Sequence, residues 1–220
     1  MTSHLWCAPH VHLATIDEDV IVLDLQEDHY DCLVDAAVWL KAGHDGSIFV
    51  RDPAAANALR ETGIAIDDPP LSRRGRCVRP SRDVPVPAGS QGMEILRALA
   101  GMMTATAVFQ NKSLLELVGH DRSPSTTEFR PTVHGAFPGS DVATFLAAAR
   151  RARPWIPFEG ECLQRAFQLR YYLALRGIAT DWVFGVRTWP FSAHCWLQIG
   201  DVVIGDRLER VARYTPIMTV

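Results

Sequence analysis

Three side chains in the last third of the chain, Cys162, His194 and Asp206, have the types and order that cysteine acyl-transfer chemistry needs. A thiol attacks a carbonyl carbon effectively only as its thiolate. An imidazole within hydrogen-bond reach takes the proton, and a carboxylate orients the other ring nitrogen. Cys162 follows Pro157 and Gly160 and opens an apolar, helix-patterned segment, which places it in the first turn of a helix. Unpaired backbone N–H groups and the positive end of the helix dipole lower a thiol pKa there, and the same groups can receive an oxyanion. Such chemistry acts on a peptide or another acyl donor.

Each residue also has a plainer role. A single cysteine is usually core filling, a strand histidine usually structural, and an aspartate after an apolar run usually ends a strand. On a strand from Ala193, His194, Trp196 and Gln198 share one face, suited to the floor of a polar cleft, and Cys195, Leu197 and Ile199 share a core face. Asp201 is the rival acid, but Gly200-Asp201 reads as an exposed hairpin tip. A two-residue turn there would put Ile199 opposite Val202 and Cys195 opposite Asp206, so His194 and Asp206 would point to opposite faces. A triad therefore predicts a register shifted by one, with a bulge near Gly200 and His194 opposite Asp206.

The elements that must position these groups read as an α+β chain. Val11 to Leu13 and Val20 to Leu25 are strands flanking the acidic turn Asp17-Glu18-Asp19, and Cys32 to Leu40 is a short helix candidate. A second helix starts after Asp52, an N-cap with Pro53 at the first helical position, and runs through Leu59 to Gly63. Residues 67–90 carry Pro69, Pro70, Pro80, Pro85 and Pro87, which exclude regular elements and mark a linker. From Gln91 the pattern is helical through Met93, Leu96, Leu99 and Met103, and a polar stretch follows from Asp121 to Pro138. Asp141 to Arg153 and Glu161 to Arg176 are helices, the second stopped by Gly177. Thr180 to Val186, Ala193 to Ile199 and Val202 to Gly205 are strands. The domain reading is 1–66, 67–90 and 91–220.

Composition narrows the function. Of 220 residues 48% are hydrophobic, enough for a packed core, and the net charge of -3 argues against a general nucleic-acid binder. The apolar run from Ile95 to Phe109 is interrupted by Arg97, Thr104 and Thr106 and is short for a membrane span, and the N-terminus lacks a signal-peptide pattern. Five cysteines, an odd number without paired spacing, suit a reducing cytoplasm. No cofactor is expected. His4, Cys7, His10 and His12 lie close in sequence but lack the loop spacing of a zinc site. Arg73, Arg74, Arg76 and Arg79 read as a solvated basic face of the linker.

Cys162-Leu163-x-Arg165-Ala166, Arg176-Gly177, Gly185-Val186-Arg187, Pro190-Phe191-x-Ala193-His194-x-Trp196 and Asp206 together closely resemble the leader peptidases (B proteins) of lasso-peptide biosynthesis. These are cysteine peptidases of the transglutaminase-like superfamily. The resemblance is strong from Trp155 to Val220. It implies a Cys162, His194, Asp206 triad that cuts a ribosomal precursor peptide between leader and core. It also implies a partner cyclase, similar to asparagine synthetase, that uses ATP to join the freed amine to an acidic side chain. Cys195 departs from the family pattern, where Ala is usual, and is expected to face the core and be inert.

The first 66 residues resemble, less closely, the winged-helix-like peptide-recognition unit of such pathways. That likeness implies leader binding along a sheet edge, with Val20, Val22 and Tyr30 as contacts and Trp196 as a contact near the nucleophile. The other readings are a transglutaminase-like or arylamine N-acetyltransferase-like acyltransferase using the same three residues, and a non-catalytic peptide-binding protein. A DNA-binding version would need a basic recognition helix, and the candidate from Pro53 to Gly63 offers only Arg60.

Overall fold

A computed structural model describes residues 2–70, 74–75, 78–85, 89, 92–119, 140–156 and 160–220. The chain divides into two compact units. The first comprises Met1–Cys77, Gly185–Ala193 and Thr215–Thr219, and the second Val78–Phe184, His194–Tyr214 and Val220. Arg73, Arg76 and the stretch from Asp121 to Pro138 lie outside the described residues.

In the first unit, β1 (Ser3–Cys7), β2 (Val11–Ile16), β3 (Asp19–Asp24), β4 (His29–Leu33), β5 (Leu40–Ala42), β6 (Ser47–Val50) and β7 (Ala65–Ile66) form two sheets, ordered β5-β6-β1-β7 and β2-β3-β4. β1 alternates as a half-buried strand must, with Leu5 and Cys7 in the core. His4 points the other way and stacks on Phe49 at 4.6 Å. His12 instead accepts from Arg74 at 3.0 Å, and Arg74 also donates to the Ala8 carbonyl at 3.0 Å. The four sequence-adjacent His and Cys residues are thus dispersed, and no metal-binding group occurs among the described residues. Arg74 is a structural cross-link, not part of a solvated face.

The sheets close over Leu5, Val20, Leu40, Ile48 and Val50, with α1 (Pro53–Glu61) packed through Ala56 and Leu59. The Asp52 carboxylate caps α1 by accepting from the Ala54 N–H at 3.0 Å. The helix expected from Cys32 to Leu40 is absent. That stretch is the end of β4, a 3-10 turn at Ala36–Val38 and the start of β5, with Asp35 at φ 54 between them. Ala36 and Leu40 are still buried, because strand, turn and strand turn the same apolar residues inward over so short a window. α1 is the unit's one α-helix among the described residues, so the winged-helix expectation finds no helical bundle here.

The second unit holds α2 (Gly92–Gln110), α3 (Leu114–Gly119), α4 (Ser140–Ala152), α5 (Cys162–Leu175) and α6 (Leu208–Val211). With them is a sheet in which β8 (Arg82–Asp83), β11 (Val202–Ile204), β10 (Ser192–Ile199) and β9 (Asp181–Arg187) are successive neighbours. The outer ends of β9 and β10, Gly185–Ala193, belong to the first unit. β8 is a correction to the linker reading. Between Pro80 and Pro85 the amides of Arg82 and Val84 are free to bond the Asp201 and Val203 carbonyls at 3.3 Å each, giving a short parallel pairing with β11.

α2 is long and apolar enough by length and composition alone to cross a membrane. Its Ala98, Gly101 and Ala105 nevertheless form a small-residue face, and Tyr172 of α5 would lie 3.5 Å from a side chain added at Gly101. The buried Glu94 carboxylate accepts from Tyr172 at 2.8 Å and pairs with Arg176 at 3.1 Å. α2 therefore packs one face on α5, where Glu94 is neutralised, while Met93, Leu96 and Met103 on its other side are exposed. α5 ends as its sequence indicates, with Gly177 at φ 73 and the Gly177 and Ile178 N–H groups bonding the Ala174 and Leu173 carbonyls at 2.9 and 3.0 Å. Thr215–Thr219 forms β12, which packs on β2 in the first unit.

Candidate active site

Cys162 is the first residue of α5, so its backbone N–H has no partner within the helix. His194 and Cys195 lie on β10, a strand buried on both faces from His194 through Gln198. The expected polar face is therefore not open to solvent: Trp196 is buried, and its indole N–H donates to the Gln198 side-chain amide oxygen at 3.0 Å. Cys162, His194, Cys195, Trp196 and Asp206 line one small cavity of about 120 Å³.

His194 Nε2–H donates to the Asp206 carboxylate at 2.6 Å, and the second carboxylate oxygen accepts the Arg207 N–H at 2.8 Å. Nε2 being used, Nδ1 is the ring nitrogen left for its hydrogen bond with Cys162. The β10–β11 register is the unshifted one: Ile199 faces Val202, Gln198 faces Val203 and Leu197 faces Ile204. The expected bulge is absent, yet His194 and Asp206 meet. The reason is that β11 ends at Ile204. Gly205 takes φ 76 and breaks the alternation, so Asp206 is free of the strand's two faces. The chain also passes so close to α5 that an added Cβ at Gly205 would lie 2.4 Å from the Leu169 side chain. The positive φ favours glycine, and a side chain there would also have to push the Leu169 methyl aside.

The electrostatics follow from this packing. Hydrogen bonds from the Cys195 and His194 side chains, against the cost of burial, lower the Cys162 thiol from 9.0 to about 4, with the Cys195 N–H and the imidazolium charge helping. Burial pulls His194 down, but the bonds to Asp206 and Cys162 outweigh it and its pKa is raised. Burial likewise raises Asp206, but its bonds from His194 and the Arg207 N–H win and it stays low. The lowered thiol and the raised imidazole both favour a thiolate beside an imidazolium. Cys195 is a buried thiol held protonated, as expected of an inert core cysteine, but it has a partner that was not expected. It donates to Cys162, and that thiolate together with burial pushes its own pKa far up.

Two further groups escaped sequence reasoning. Arg210, one helical turn beyond Asp206, lowers the pKa of both His194 and Asp206 by its charge. Tyr214 stands 5.3 Å from the His194 ring. The signals available were Gly205 directly before the acid and a second cysteine directly after the histidine.

The expected peptide-binding residues fall differently. Val20 and Val22 lie on the central strand of the β2-β3-β4 sheet and are 0% and 2% exposed. Their side chains are part of the core. Tyr30 is on β4, an edge strand, and with Ile21, Trp189 and Phe191 lines a cavity of about 140 Å³ within the first unit. Trp189 donates to Asp19 at 3.1 Å, and the Phe191 ring lies 5.7 Å from Tyr30.

No solved structure matches the chain. It is 41% identical over 49 residues to the microcin J25-processing protein McjB of Escherichia coli, covering 22% of this chain and 24% of that protein. The chain thus matches about a quarter of that relative's length. A family model, described as the transglutaminase-like superfamily, matches residues 105–219. That span takes in Cys162, His194 and Asp206 and more than half of the sequence, and by it the chain belongs to the transglutaminase-like superfamily.

Proposed function

We propose that this chain is a cysteine peptidase of lasso-peptide biosynthesis that removes the leader from a ribosomal precursor. The observation that carries the reading is the 2.6 Å bond between His194 and Asp206 beside a Cys162 thiol held near 4. The partial likeness to a microcin-processing protein supports the substrate class. Cys162 is the nucleophile. Its thiolate attacks the scissile carbonyl, and the backbone N–H groups at the start of α5 receive the oxyanion. The His194 imidazolium gives its proton to the leaving amine, freeing the core's α-amine. His194 then activates water against the thioester, and Asp206 keeps the ring oriented through both steps.

The substrate in this reading is a leader-bearing precursor in the cytoplasm. The leader pairs with the β4 edge beside Tyr30, and a cyclase similar to asparagine synthetase takes the released amine. The first unit serves recognition, and the second carries the chemistry. The test is the Cys162→Ala variant incubated with precursor peptide, read by mass spectrometry. Cleavage should vanish while the circular dichroism spectrum stays unchanged. The wild-type products should be the core with a free α-amine and a leader ending in a carboxylate. A leader capped with an added amine at that carbonyl would assign the chain to acyl transfer, and cleavage by Cys162→Ala would sink the reading.

A further inference from the structure

Next to Asp206 the second unit opens a cavity of about 1280 Å³. Its walls carry Arg150, Arg153, Arg165, Arg207, Arg210 and Arg213 against Asp83, Asp206 and Glu209. Two of those acids are committed: Asp206 to His194, and Asp83 to the Leu208 N–H at 3.3 Å. The arginines come from α4, the 3-10 turn that follows it, α5 and the segment around α6, so folding gathers them from separate parts of the sequence. The chain as a whole carries a net charge of -3, so this concentration is local and not a reflection of a basic protein. Among the described residues Arg150, Arg207 and Arg213 form no ion pair. Guanidinium groups converging on one concave wall repel one another, and an anion between them relieves that repulsion and accepts their forked hydrogen bonds.

The position is the second argument. Arg153, Arg165, Leu169, Gly205, Asp206 and Arg210 line both this cavity and the small one holding Cys162. A chain seated on the nucleophile therefore continues directly into the arginine wall. We propose that the cavity is a subsite for an acidic side chain of the peptide that Cys162 attacks, so that substrates with an Asp or Glu close to the scissile bond are selected. The inference rests on the peptidase reading above and adds a substrate preference to it.

The test compares iodoacetate with iodoacetamide on the full chain and on R150Q/R207Q/R213Q, following the Cys162 peptide by mass spectrometry. The reagents share a leaving group and differ by one negative charge, so their rate ratio cancels any general loss of fold or of thiolate. The iodoacetate-to-iodoacetamide ratio should fall about fivefold in the variant, and in the wild type it should fall as salt is raised. A ratio that the substitutions leave unchanged overturns the proposal. In a second arm both proteins are given a peptide mixture and the new ends are sequenced. Wild-type cut sites should be enriched in neighbouring Asp or Glu, and the variant should lose that enrichment. Cleavage without enrichment overturns the acidic subsite and leaves the peptidase reading standing. Absence of cleavage alongside charge-dependent alkylation overturns the peptidase reading and, with it, the peptide as occupant. If low-millimolar inorganic phosphate abolishes the iodoacetate advantage and acidic sites are not enriched, the cavity belongs to a free anion instead.

Discussion

The pH profile of Cys162 alkylation by iodoacetamide probes the site directly. A thiol at the ordinary value of 9.0 is about 0.01% thiolate at pH 5 and about 1% at pH 7, so its rate climbs about a hundredfold between them. Lowered to about 4, Cys162 is about 90% thiolate at pH 5 and saturated at pH 7, so its rate is nearly flat over the same range. The absolute rate at neutral pH says less. Full ionisation gains about a hundredfold there, but a thiolate of such low pKa is a weaker nucleophile, by roughly as much at a Brønsted slope of about 0.4–0.5. His194→Ala removes the imidazolium's hydrogen bond and charge, while burial stays and opposes ionisation. The plateau should then move to higher pH, with the rate at pH 5 at least about tenfold below that at pH 8. Peptide mapping resolves Cys162 from the exposed Cys32, whose pKa is raised above 9.0 and which serves as the internal reference. Two results would refute the reasoning: a wild-type profile that rises with Cys32, or a flat profile that survives in His194→Ala.

Asp206→Asn removes the charge that holds His194 protonated, so the alkaline limb of kcat/KM for peptide cleavage should move to lower pH and the maximum fall about a hundredfold. An unmoved alkaline limb would mean that Asp206 does not set the histidine's charge. Gly205→Ala forces a Cβ at φ 76 to within 2.4 Å of Leu169, and the urea midpoint should report a loss of about 1–3 kcal/mol. A midpoint equal to wild type would show that the turn before Asp206 tolerates a side chain.

Sequence reading reached furthest where chemistry is local. Asp52-Pro53 marked the start of α1, and Gly177 marked the end of α5, because caps act within one turn. It reached least far in two places. The first is the stretch from Cys32 to Leu40, where a few inward apolar residues fit a helix or two strands equally well, and only pairing with β3 and β6 decides. The second is the step from β11 to Asp206. Strand alternation, extended two residues past Ile204 to Asp206, demanded a register shift that the molecule does not have, because Gly205 breaks the strand before the acid. The partner of Cys195 was missed for a related reason. Parity assigned the residue after His194 to the core face, where it is indeed buried, but its thiol also meets the start of α5.

The segments Gly185–Ala193 and Thr215–Thr219 belong with the first unit although the sequence places them among residues of the second. The two units are therefore interleaved along the gene, and a single stop codon or new start codon cannot separate them cleanly. A fragment ending at Cys77 lacks β12 and leaves β2 without the strand that packs on it. A fragment beginning after Ile66 keeps β12 and Gly185–Ala193 but loses β1 to β7 of the same unit. Splitting the gene into one piece per unit would need those segments rerouted by permutation, which makes point substitution the cleaner means of testing each unit by itself.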